Sequence, residues 1–175
     1  LARWTDSVGW EFQDIYYNDY VGDDSVWLAW RFYSNHTNTY NGPWVDDVRI
    51  WKYTSTGWDK ITEGFEGVWP SGKWMVRDLN HDHYWDDDNY RPHTGYWAAW
   101  PARGGENGRD PQPGNDDYFN NMNTPMVYGP FDLRDSAAAR TTCYLWREME
   151  TPHDYLALEV SHDNVTFEEL ARWTG

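Results

Sequence analysis

A chain of 175 residues suits one domain that can bury a real core. Its apolar share is 39%, and 14 Trp, 13 Tyr and 6 Phe store much of it in large rings with polar tips. With 14 basic against 29 acidic residues the formal net charge is −15, which repels phosphate backbones and anionic membranes and argues against nucleic acid as a partner.

No apolar run approaches the roughly 18 residues of a membrane span, so no membrane insertion is expected. The first residues lack the basic-then-apolar pattern of a signal peptide, which reads as a mature or excised piece.

Along the chain, the first strand candidate is 8–17. Residues 25–33, "SVWLAWRFY", place Val26, Leu28, Trp30 and Phe32 on one face and Trp27, Ala29, Arg31 and Tyr33 on the other, the alternation of a strand. Residues 44–53, "WVDDVRIWKY", are rich in β-formers but carry two adjacent acids. Neighbouring strand residues point to opposite faces, so one of the two carboxylates is expected inward. Further strands are expected at 96–100, 125–131, 140–147, 154–161 and 165–173, with Gly, Pro, Asn and Asp clusters between them as turns. Only "DLRDSAAAR" at 132–140 offers a helical turn. Many short strands without amphipathic helices predict an all-β sandwich.

Cys143 stands alone in the run "TTCYLW", which excludes an intrachain disulfide and predicts a small buried hydrophobe. The stretch 80–123 is rich in Asp, Asn, Gly, Pro and aromatics and is long for a connection; it reads as a loop that carries function or covers a sheet. Its acids Asp86, Asp87, Asp88, Asp116 and Asp117 are cation contacts or a solvated face.

The opening residues "LARWT" recur as Leu170, Ala171, Arg172, Trp173 and Thr174, an offset of 169 residues between positions 1 and 170. A repeat whose period nearly equals the chain points to one unit of a tandem array, or to identical subunits sharing a junction segment.

Residues 64–76, "GFEGVWPSGKWMV", and 43–50, "PWVDDVRI", resemble the opening and closing strands of jelly-roll domains in carbohydrate-binding modules and in secreted peptidases of the immune inhibitor A type. "NNMNTPMVYGPFDLRDSAAARTTCYLW" and "DYLALEVSHDNVTFEEL" resemble the middle strands of those domains, and 8–34 the segment that follows them. Here the order is inverted: residues 1–54 resemble the closing half, 64–175 the opening half, with 55–63 as a linker. The resemblance implies a jelly-roll β-sandwich of antiparallel strands carrying a long aromatic and acidic loop insertion. An inverted order is satisfied by a circular permutant, or by halves that complete a neighbour's sandwich and so build an open filament.

The same resemblance implies a structural calcium ion (Ca2+) on Glu66 and Asp47, with Asp46 as the alternative to Asp47, tying first and last strands together. Trp85, Tyr90, Tyr96, Trp97 and Trp100 cluster in the acidic stretch and would stack on sugar rings, or else pack as core. His81, Asp82 and His83 make a conceivable but unsupported transition-metal set, since no HExxH spacing or paired Cys accompanies them. Asn35-His36-Thr37 and Asn164-Val165-Thr166 fit the N-glycosylation triplet. No GxSxG elbow and no phosphate-binding loop is present.

The expectation is therefore a non-catalytic extracellular module, a tandem repeat or subunit of a surface filament in which copies join head to tail by sharing sandwich halves. The alternative is a calcium-stabilised carbohydrate-binding module of a larger secreted protein, with glycans as partners. A filament needs the two halves in different sandwiches or an open edge; sugar binding needs an exposed aromatic platform.

Overall fold

The computed structural model describes residues 9–79, 83–112 and 117–175. Over these residues the chain is an all-β sandwich of two antiparallel sheets, and its single helical element is a 3-10 turn at Asn18–Tyr20.

The strands are β1 (Glu11–Tyr16), β2 (Val26–Tyr33), β3 (Gly42–Thr54), β4 (Gly57–Glu63), β5 (Trp74–Val76), β6 (Tyr84–Asp88), β7 (Ala98–Gly104), β8 (Asn123–Phe131), β9 (Ala138–Glu148), β10 (Tyr155–Ser161) and β11 (Glu168–Trp173). The first sheet has the order β1-β9-β3-β7-β6, with β4 also paired to β3; the second has the order β11-β10-β2-β8-β5.

The alternation read in β2 places its side chains as expected. Val26, Leu28, Trp30 and Phe32 are fully buried, and β2 sits between β10 and β8 at the centre of its sheet. They meet Val45, Val48, Ile50, Cys143 and Leu145 of the first sheet in one core. Each such side chain contributes about 1.5–3 kcal/mol on leaving water. Burial pushes the Cys143 thiol up to about 12, as suits an inert packing group.

Three expectations are corrected. Residues 55–63 are not a linker: 57–63 form β4, a hairpin partner of β3 from Thr54↔Gly57 to Val48↔Glu63. The stretch 132–140 makes no helix and leads into β9 at Ala138. The acidic stretch is not a loop throughout, since it contains the paired strands β6 and β7.

Strands from residues 9–54 interleave with strands from the later part of the chain. β1 pairs with β9, β2 lies between β8 and β10, and β3 pairs with β9.

The acid pair sits at a bulge in β3. Asp46 faces Tyr144 but Arg49 faces Thr142, so one extra residue is accommodated there, and Asp47 takes a left-handed φ of 50°. On either side of the bulge, Trp44 and Asp46, then Arg49, Trp51 and Tyr53, share the sheet's outer face.

Candidate functional site

The predicted calcium carboxylates converge on one structure, the connection 89–97 between β6 and β7. It crosses the outer face of the first sheet as a strap. Asp46, fully buried, accepts the backbone N–H groups of Asp47 (2.6 Å), His93 (2.8 Å) and Thr94 (3.1 Å). Asp47 meets His93 Nδ1 at 2.8 Å and accepts the Thr94 hydroxyl at 3.0 Å. Glu66 Oε1 accepts the N–H groups of Tyr96 (2.7 Å) and Trp97 (3.0 Å). Gly95, at φ 66°, is where a side chain would collide with the Glu66 carboxylate, so the close approach requires glycine.

These carboxylates therefore hold a peptide strap where the resemblance implies an ion. A calcium ion needs about six to eight oxygens with free lone pairs, whereas here amide hydrogens are aimed at Asp46 and Glu66. As arranged, the set does not fit the ion. Among the described residues no group of three or more His, Cys, Asp or Glu side chains is placed to hold a metal. Burial pushes the Asp46 carboxyl up to about 6, although the three N–H bonds oppose that rise.

Aromatic contacts finish the strap. The Arg91 guanidinium lies 3.7 Å from the Trp146 ring centroid, His93 stacks on Tyr144 at 3.6 Å, and Tyr90 packs near Trp44 at 6.1 Å. Trp44 in turn stacks on Trp100 at 5.7 Å.

The expected sugar platform is thereby corrected. Trp85 and Trp100 are fully buried; their indole N–H groups donate to Thr124 O and Asn41 O, and neither can offer a ring to a sugar. Tyr90 and Trp97 are partly buried against the core. Only Tyr96 of that group stands in solvent.

The remaining candidates are dispersed. His81, Asp82 and Asp116 lie outside the described residues, as does the first LARWT copy at 1–5. Asp88 pairs with Arg103 at 2.9 Å, and Arg109 donates to the Asp117 carbonyl. His83 stacks on Phe119. Asn35 Oδ1 accepts from Thr37 N and Oγ1. Asn164, at φ 60°, is held by Arg77. Both triplet asparagines thus serve as turn residues.

The second LARWT copy is informative. Leu170 to Trp173 form the end of β11, the edge of the second sheet, and β1 is the edge of the first. The two edges meet: Trp173 Nε1 donates to Gln13 Oε1 at 3.1 Å. Arg147 bridges them, reaching the Thr174 carbonyl at 3.2 Å and Glu11 at 2.6 Å. Sequence reasoning found the repeat but not this meeting, because the offset reports periodicity and not where the strands lie.

Compared with known protein families, with curated proteins and with solved structures, the chain matches none.

Proposed function

We propose that the protein is a non-catalytic structural module of an extracellular assembly, repeated or joined head to tail with copies of itself. One observation carries this reading: the end of β11, which holds the second LARWT copy, lies beside the start of β1. In an array with the 169-residue period, six residues separate Trp173 from the start of the next copy's β1. That β1 would arrive at the slot beside β9 which the chain's own β1 fills.

Between identical copies, either copy of residues 9–54 completes the sandwich with the same contacts, and exchange costs no interface. Exchange between neighbours that does not close on itself builds an open fibre. A chain on its own closes as a permutant through the same contacts.

The test is a polypeptide of several units at that period, compared with the single unit by small-angle scattering and electron microscopy. The reading predicts regular particles whose length grows in proportion to the number of units. Independent globules on mobile tethers would overturn it.

A second reading, a carbohydrate-binding module, is favoured by a different observation: the rings of Tyr16, Tyr53 and Trp58 stand exposed on the outer face of the first sheet.

A further inference from the structure

The outer face of the first sheet is only partly covered by the strap. Beyond the bulge, four strands lie side by side with their outer residues in register. Tyr16 faces Arg140, Arg140 faces Trp51, and Trp51 faces Lys60. The next row is Asp14, Thr142, Arg49 and Thr62. At the end of the hairpin Tyr53 faces Trp58. At the usual strand spacing a row spans roughly 14 Å.

Tyr16 is 52% exposed, and Tyr53 and Trp58 are each 43% exposed. Their rings lie against neighbouring side chains of the same face. The Arg140 guanidinium lies 4.9 Å from the Trp58 ring centroid, 5.4 Å from Trp51 and 5.7 Å from Tyr16. Lys60 Nζ is 5.2 Å from Trp51, and Trp51 Nε1 donates to Thr142 Oγ1.

Charge on this face runs against the rest of the chain. The protein carries 29 acidic residues, yet these rows hold Arg49, Arg140 and Lys60 against one carboxylate, Asp14. Asp14 is spent on Arg140 at 2.8 Å. Among the described residues no carboxylate forms an ion pair with Arg49 or Lys60.

We propose that this open half-face binds an acidic polysaccharide of the uronic-acid class. The Tyr16, Tyr53 and Trp58 rings would pack against the apolar faces of successive sugars, and Arg49 and Lys60 would pair with their carboxylates. Rings supply area at low entropic cost, and a guanidinium recognises a carboxylate through two parallel N–H bonds. An overall charge of −15 repels a polyanion at a distance, so attraction has to come from this patch. The inference rests on the second reading, that the module holds carbohydrate.

Isothermal titration of the whole protein with polygalacturonate oligomers, and with the same oligomers methyl-esterified, separates the two ideas. The proposal expects the acidic form to bind at least tenfold more tightly than the ester. Arg49→Gln with Lys60→Gln should erase that preference, and Trp58→Ala should weaken both forms, with thermal melts confirming that each variant folds. Equal binding of acid and ester overturns the charge assignment and leaves the carbohydrate reading standing. Binding of neither overturns both. Self-association in sedimentation velocity that Trp58→Ala abolishes, without saccharide binding, makes the face a contact between copies and also overturns the proposal.

Discussion

The outer face of the first sheet is built twice from similar residues, with opposite outcomes on the two sides of the bulge in β3. On one side Trp44, Asp46, Tyr144 and Trp146 lie under the strap, and Asp46 is fully buried. On the other side Tyr16, Tyr53 and Trp58 stand exposed, with Arg49 and Arg140 half-buried between them. Rings on a sheet face do not by themselves say whether they are core or contact surface. What decides is whether the chain supplies groups that can hold a cover: Asp46 and Glu66 accept the strap's N–H groups, and Asp47 accepts the Thr94 hydroxyl.

The largest effect is expected at Trp100. Trp100→Ala removes a fully buried indole stacked on Trp44 and should cost about 3–5 kcal/mol, read as a large drop in the urea midpoint. An effect no larger than that of an exposed ring would show that the strap does not create a core.

Much of the fold is legible in the chain because inner faces alternate strictly, as Val26 to Phe32 do. β4 is not legible: it overhangs the sandwich, most of its residues are exposed, and no burial period marks it. β6 is hidden for another reason. The run "YWDDD" looks like a solvated loop, yet Trp85 points into the core and Asp88 is buried against Arg103. The carboxylates of the strap clamp stand out through a resemblance; their partner, Gly95 with its neighbouring amides, is distant in sequence and carries no local signal. Trp100 likewise reads as a sugar platform until it is seen buried and stacked on Trp44. The exposed trio Tyr16, Tyr53 and Trp58 is scattered over three strands and is assembled only by register.

A smaller effect is expected from pH. Burial holds the Asp46 carboxyl near 6 against an ordinary 3.8, and Asp87 is raised to about 6 mainly by desolvation. Between those values the folded chain keeps protons that the unfolded chain has released. These residues therefore favour folding most below 3.8, and that contribution is lost as pH rises through 6. Asp132, held near 2 by Arg134, acts in the opposite sense only at lower pH. The melting temperature should accordingly be higher at pH 5 than at pH 7, and Asp46→Asn should flatten the difference while keeping an oxygen for the strap. A fall in melting temperature from pH 7 to pH 5 that Asp46→Asn leaves unchanged would show that Asp46 does not carry the buried charge of the clamp.

The smallest effect is expected on the open side. Trp58→Ala should change stability by about 0.5 kcal/mol or less, as for other surface substitutions, in contrast to the loss at Trp100. A loss at Trp58 of several kcal/mol would make the open half-face structural and remove its claim to be a contact surface.

Where β11 of one unit leads into β1 of the next, as proposed, copies form a continuous assembly. Negative-stain microscopy of the natural material, with denaturing electrophoresis of the same sample, tests it most directly. Regular fibres are expected, with a ladder or a very large band if the units are covalently linked. Discrete particles of a single chain of 20.8 kDa would contradict it and leave a self-contained, permuted module.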